Sequence, residues 1–398
     1  MNLKVDLLPN YFLKTDGTFD KSSAILLSGR IAGICYDKEG FKHLEQESIE
    51  KTLKRVQNTL YSGHHSVYDH IYISFNIQNI PKILAMILNN ERQYTTSEKS
   101  ARYTPIEKNN DSIITNEEVN LYYKWLEIFK TKISQRYGNV FKKNKITKLA
   151  QENARYLITV FMPTQMIYTT SLRQINYIVS WLDEYRNNAN LNNDFEKKLC
   201  LAIDQFINEL DRLNVLESGL LKNEKNRKIT LFGENLDLKK EIFQEFYLTT
   251  YKGSFAQYAQ AQRHRSLAYQ LEILAEKEYF IPPIIEDDQL LVEEWLNDLD
   301  KIKDIYPQGE LVLICEMGSY EDFILKKCTE RLCSEAQLEI NNQTKVTLEK
   351  YYKHLSENNH PLAQHLNQYR LGARCTFPNF KCSSPCSFEE GIKLKRKI

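Results

Sequence analysis

Neither sign of charge dominates this sequence of 398 residues: 53 lysines and arginines stand against 52 aspartates and glutamates, a formal charge of +1. Without a basic excess there is no electrostatic argument for nucleic acid or a membrane surface as the main partner. A small anionic ligand stays within reach, because a phosphate needs only two or three local arginines. Long apolar runs are missing as well. The first residues, MNLKVDLLPNYFLK, place lysine and aspartate where a secretory leader needs an unbroken apolar stretch. The least charged long stretch, Tyr156 to Leu172, is interrupted by threonines, a glutamine and a proline, and would make a poor membrane span. Cysteine is sparse and uneven: Cys35 and Cys200 stand alone, and six fall between Cys315 and Cys386, none as Cys-x-x-Cys. Such usage suits a compartment that keeps thiols reduced, so the expected location is cytoplasmic.

What is present is ordinary for a soluble protein, with 42% hydrophobic and 26% charged residues. The length is comfortable for two domains. The pattern divides into two helix-rich halves, 1–190 and 191–398, the second ending in a Cys-rich tail. Apolar residues at three- and four-residue spacing predict helices near 195–215, 286–303 and 319–353. The stretch IYISFNI (71–77) alternates in the manner of a strand and stops before Pro81, and PKILAMILNNER (81–92) reads as a helix. The charged, Asn-rich stretch 183–198 reads as a surface connection.

Four short patterns carry chemistry. Residues 63–71 read GHHSVYDHI and run into the predicted strand; past the helix comes QYTTSEKSARY (93–103). In the second half, QAQRHR occupies 260–265 and ERLCSEAQLEI occupies 330–340. Together they resemble the flavin-dependent thymidylate synthase family, whose subunits carry Gly-His-x-Ser/Thr-x-x-Glu-His, then Arg-His-Arg with Asn-Glu-x-Ser-x-Arg-Tyr. Gly63, His64, Ser66, Asp69 and His70 match the first pattern, with Asp for Glu. Glu98, Ser100, Arg102 and Tyr103 match the end of the second. Arg155 and Arg173 match the next block, where Ser171 stands for the usual Asn and Leu182 for the last arginine. At the signature itself the first half has Asn90-Glu91-Arg92, and a flavin phosphate beside Glu91 would meet repulsion. The second half supplies what is missing: Arg263, His264 and Arg265 with Gln260 before them, and Arg331 at the last arginine.

The resemblance implies an α+β fold: two small antiparallel sheets, each packed with helices, fused as a pseudo-dimer in which the halves have decayed in complementary ways. It implies reductive methylation of dUMP to dTMP, with FAD as cofactor and NADPH and methylenetetrahydrofolate as co-substrates. Arg331 and Ser100 would be catalytic. Glu98, Lys99, Ser100, Arg102, Arg155, Gln260 and Arg263 would hold dUMP, and Ser66, Arg173, Arg263, His264 and Arg265 would hold FAD. Two chains would form a homodimer of four domains, with no nucleic acid or membrane partner. Two alternatives stay open: C5 modification of another pyrimidine nucleotide, and a non-catalytic nucleotide- or flavin-binding relative. Taken singly, the residues have plainer readings too. His65 reads as a histidine with satisfied nitrogens, Ser100 as a helix cap, and Arg155 and Arg173 as partners of nearby acids. Outside the motifs, Cys375, Cys382 and Cys386 with Cys333 suggest a zinc or iron–sulfur centre that pins the tail beside Arg331.

Overall fold

The computed structural model describes residues 2–99, 113–222, 227–233, 241–383, 386 and 393–398. The chain forms two compact units that interleave in sequence. One comprises Met1–Lys99 and Pro163–Gly233, the other Ser100–Met162 and Glu234–Ile398.

The first unit holds a four-stranded antiparallel sheet of order β1-β2-β4-β3, from β1 (Lys4–Leu7), β2 (Tyr72–Pro81), β3 (Thr95–Glu98) and β4 (Pro163–Ser171). The expected strand at 71–77 is there and runs on to Pro81, which lacks an amide hydrogen and sits at the strand's last position. Its alternation sets the face: Ile73, Phe75 and Ile77 are fully buried, and Phe75 pairs with Tyr168 of β4. The short helix Lys82–Leu88 follows, buried along its whole length. Helices Leu172–Asn188 and Asp194–Arg212 are capped by Ser171 and Asn193, whose side chains accept from amides of the first turn. The stretch 183–198 is therefore mostly helical, with only 189–193 linking the two. The reason is that Trp181 and Leu182 on one side, and Phe195 and Leu199 on the other, bury apolar faces that propensity alone does not reveal.

The second unit repeats the arrangement. Strands β5 (Ile242–Phe243), β6 (Phe246–Ser254), β7 (Ala268–Ile273) and β8 (Leu311–Ser319) pair antiparallel in the order β5-β6-β8-β7. The helix Phe255–Ala261 stands between β6 and β7 as Lys82–Leu88 stands between β2 and β3. The fold is thus α+β, with the same four-stranded sheet present twice. The core of this unit draws on helices Asn116–Tyr137 and Lys143–Ala154, which pack with Gln289–Lys301. Trp125 and Trp295 meet edge to face at 4.8 Å, Phe129 lies against both, and the Trp125 indole donates to Asp298 at 2.9 Å. A capping box formed by Thr115 and Glu118 starts the first of these helices.

The helix expected over 319–353 is broken. Phe323–Cys328 is a π-helical turn, the helix ends at Arg331, and a new one starts at Leu338. Side chains from elsewhere in the unit take up carbonyls freed at the break, so the regular ladder is not needed there. Among the described residues no helix is long and apolar enough to cross a membrane.

Candidate functional site

The helix Phe255–Ala261 is fixed from its first residue. Ser254 caps it, accepting from the Gln257 amide at 3.0 Å, and donates its hydroxyl to Glu339 at 2.6 Å. Glu339 also accepts from the Ser254 amide at 2.8 Å and the Tyr156 hydroxyl at 2.8 Å. Burial pushes the Glu339 carboxyl up against the pull of these donors. Arg155, expected at the nucleotide, is buried here and donates to Gln337 at 3.0 Å. The motif at 336–340 and Arg155 therefore meet, although 182 positions separate Arg155 from Gln337.

At the other end of that helix the chain turns sharply through Gln262, Arg263 and His264 into Arg265, which adopts the left-handed conformation at φ 59°. That conformation is uncommon for a residue with a Cβ, and such turns concentrate at functional sites. Arg331 reaches back to this turn: its Nε donates to His264 Nε2 at 2.8 Å and its Nη2 to the Gln260 carbonyl at 2.8 Å. The expected flavin motif and the expected last arginine are thus one cluster. His264 is buried; its Nδ1 lies 3.0 Å from the Tyr269 hydroxyl. Burial first, then the charges of Arg331 and Lys327, hold its pKa well below the usual histidine value. Arg263 is half-buried and Arg265 exposed. Beside them, the Gln260 Nε2 and Gln262 Oε1 atoms are buried and have no hydrogen-bond partner among the described residues.

Sequence reading missed two features of this region. Lys327 and Glu316 form an ion pair at 2.6 Å whose side chains are both fully buried, and Glu316 also accepts from Tyr247 at 2.7 Å and Tyr251 at 2.8 Å. Lys327 reads in sequence as one lysine of a polar pair, and nothing marks it as interior. Tyr269 had a signal, since AYQLEI alternates and Tyr269 falls on its buried phase.

In the first unit, the position equivalent to His264 is Glu91. Each lies nine residues after the start of its helix, at Lys82 and Phe255, and four before its next strand, at Thr95 and Ala268. Glu91 is fully buried and ion-paired with Arg227, and it accepts from the Thr230 amide at 2.6 Å and hydroxyl at 3.0 Å. Burial raises its carboxyl pKa against those partners. Asn90 donates to the Thr230 hydroxyl at 2.7 Å, and Arg227 lies 3.7 Å over the Trp181 ring. Leu182, at the last-arginine position, is fully buried. This corner is filled by the chain's own residues 227–230.

Elsewhere in the first unit, Arg173 grips Asp69 with two nitrogens, at 3.0 and 2.6 Å, and Ser171 donates to the same carboxylate at 2.6 Å. The first motif and the block that carries Ser171 and Arg173 are thereby joined. Ser66 is exposed on the same short 3-10 turn as Asp69, which opens after Gly63 at φ 73°. His65 has both ring nitrogens engaged, with Tyr177 at 2.8 Å and the Leu60 carbonyl at 3.0 Å, which makes it a structural histidine. The enclosed carboxylate of Glu98 pairs with Lys82, while Lys99 is exposed. Ser100, Arg102 and Tyr103 lie outside the described residues.

The four cysteines expected at a metal centre are not gathered. Among the described residues no three histidines, cysteines, aspartates or glutamates are placed to hold a metal ion. Cys375 and Cys386 are exposed, and Cys333 and Cys382 half-buried. The tail does lie beside the Arg331 loop, but arginines tie it there: Arg374 and Arg396 donate to carbonyls of residues 329–336.

Residues 22–190 match the family model of the thymidylate synthase complementing protein. The flavin-dependent thymidylate synthase of Pyrococcus furiosus is 24% identical over 148 residues, which is 36% of this chain and 57% of that protein. That of Thermococcus onnurineus is 25% identical over 150 residues, 36% and 58% of the two chains. The chain therefore spans less than two thirds of the length of the curated relatives it matches. Among solved structures, thymidylate synthase X of Helicobacter pylori with FAD and dUMP is similar at 17% identity over 55% of this chain and 99% of that one, with a TM-score of 0.33. A UMP/dUMP methylase, PolB of Streptomyces cacaoi bound with 5-Br dUMP, is similar at 14% identity over 55% and 94%, also with a TM-score of 0.33.

Proposed function

We propose, from the premise that residues 22–190 belong to the flavin-dependent thymidylate synthase family, that this chain converts dUMP to dTMP with methylenetetrahydrofolate and NADPH-reduced FAD. The observation that carries the reading is the cluster of Arg331 with His264 and the Gln260 carbonyl, both at 2.8 Å. It joins two family motifs that lie far apart in sequence, and it fixes a permanently charged guanidinium in one orientation. A cation held in this way stabilises negative charge that develops on a pyrimidine oxygen without reorganising at the moment of reaction.

The residues at 260–265 fit a phosphate-bearing flavin. Two arginines flank a sharp turn, and buried amide atoms of Gln260 and Gln262 await a hydrogen-bonding ligand. Arg263, His264 and Arg265 would hold the cofactor, with Ser66 and Arg173 also assigned to it. When bound, the flavin supplies the redox chemistry that no side chain here can perform. Ser100, Glu98, Lys99, Arg102, Arg155, Gln260 and Arg263 are assigned to the nucleotide. Of these, Arg155 is tied to Gln337 and Glu98 to Lys82, which suits positioning of the neighbouring chain better than direct grip. Two chains are the proposed assembly.

The test is the visible spectrum of the purified protein, followed by turnover with dUMP, UMP and dCMP. We expect a flavin spectrum, dTMP as product, and a loss of at least about 100-fold in kcat/KM for Arg331→Ala, about 2.7 kcal/mol of transition-state stabilisation. A colourless protein that binds no added FAD would overturn the reading. Methylation of UMP or dCMP in preference to dUMP would move it to another pyrimidine nucleotide.

A further inference from the structure

The last six described residues, KLKRKI (393–398), look in sequence like a solvated basic tail. The structure alternates them: Leu394, Arg396 and Ile398 are buried, while Lys393 and Lys395 are exposed. Ile398 belongs to the core around Trp125, the Lys397 amide donates to the Tyr137 hydroxyl at 3.1 Å, and Lys345 donates to the Leu394 carbonyl at 2.6 Å. The segment is anchored on both sides of Arg396.

Arg396 points under the break between Arg331 and the helix that begins at Leu338. Its Nη1 donates to the Ser334 carbonyl at 2.8 Å, and its Nη2 donates to Cys333 at 3.3 Å and Ala336 at 2.6 Å. A fourth bond, from Nη1 to the Ile398 main-chain oxygen at 2.9 Å, ties the fork to its own segment. One further side chain and one main-chain amide brace the same break. Asn341 donates to the Arg331 carbonyl at 2.7 Å, and the Arg374 amide donates to the Leu332 carbonyl at 2.6 Å. A loop that leaves a helix carries carbonyls with no ladder partner, and buried ones need donors. One planar guanidinium serves three of them here in a fixed geometry, which a lysine's single ammonium does not match.

We propose that Arg396 is a positioning residue, and that residues 393–398 form a strap that holds the 332–337 loop and so sets where Arg331 lies. The strap's effect on turnover rests on the function proposed above; its effect on the loop does not. A displacement of about 1 Å at a reacting group costs on the order of 100-fold in rate, so a slack loop lowers kcat even with every site residue present.

The experiment compares the full chain with Arg396→Ala and Arg396→Lys. Trypsin cleavage after Arg331, followed by mass spectrometry, reports the loop directly, because Leu332 is fully buried and its amide is bonded to the Cys328 carbonyl at 2.9 Å. We expect Arg396→Ala to cleave there at least tenfold faster, and its Leu332 and Ala336 amides to exchange at least tenfold faster, with a cooperative melt retained. Arg396→Lys should fall between it and the wild type. kcat should drop about tenfold or more while KM stays within about twofold. Unchanged cleavage and exchange at 331–336 would overturn the strap. If Arg396→Ala is insoluble, the same two readouts on Arg396→Lys decide. If the wild type makes no thymidylate, the functional reading falls alone, and cleavage and exchange still judge the strap.

Discussion

His264 has its protonation state dictated by its neighbours. Arginine has no lone pair to offer, so His264 Nε2 must accept from Arg331, and the ring proton then sits on Nδ1 and is donated to the Tyr269 hydroxyl. Tyr269 passes the chain on to the Ala261 carbonyl at 3.2 Å. With its pKa held well below the usual value, His264 stays neutral in the fold, whereas in the unfolded chain it takes up a proton near about pH 6.5. The unfolded state therefore binds more protons as pH falls through that range, and this residue's contribution to stability is lost on acidification. His43 acts in the opposite sense: hydrogen bonding to Asp37 raises its pKa, so its contribution is present in acid and lost as pH rises. Urea midpoints between pH 7.5 and 5 should fall more steeply with acid in the wild type than in His264→Gln. Equal slopes would mean that His264 is charged in the fold.

At the scale of the element, the segment Tyr320–Arg331 is where regular periodicity fails and the site gains its shape. Its π-helical turn carries Lys327 into a fully buried pair with Glu316, one helical turn before Arg331. Removing one member of a buried pair strands the other, at a cost of about 3–5 kcal/mol. Lys327→Met should lower stability by that order. Adding Glu316→Gln should recover part of it, because the remaining group is then neutral and keeps Tyr247 and Tyr251 as partners. Chemical denaturation of the single and double variants checks this; equal losses would show that the pair is not coupled. The same scale explains the first unit's filled corner. The Glu91–Arg227–Thr230 contacts satisfy each other, so a single Glu91→His exchange should not create a second flavin site.

For the whole molecule, the expected residue sets occur once each: Arg-His-Arg only at 263–265, and Glu-x-Ser-x-Arg-Tyr only at 98–103. Saturating titration should therefore give about one FAD per chain, where two intact sites would give about two. Arg263→Ala should abolish flavin binding. Arg102→Ala should keep flavin yet weaken dUMP, since a charge-assisted bond contributes about 1.5–3 kcal/mol. A ratio near two would contradict the single set. The interleaved units make a second expectation. A fragment ending at residue 190 contains Trp125 and Phe129 but not Trp295, so it exposes the core face of its longest helix. Expressed alone, it should aggregate or stay partly unfolded by circular dichroism, whereas the full chain should melt cooperatively.

Local pattern was enough for one strand, since the alternation of IYISFNI fixes which face is buried, and for helices such as Gln289–Lys301, whose apolar stripe is continuous; the alternation of AYQLEI was there to read but went unread. The motifs themselves were legible too, and so was the difference between Glu91 and His264 at equivalent positions of the two units. Tertiary structure decided how these residues are satisfied. It buried Arg155 against Gln337, turned Lys327 inward to Glu316, filled the corner at Glu91 with Arg227, and moved the helices of 116–154 into the second unit. It also replaced an expected metal-pinned tail with one held by Arg374 and Arg396. None of this has a sequence period, because each buried polar group is stabilised by a partner that is distant along the chain, and only folding selects that partner.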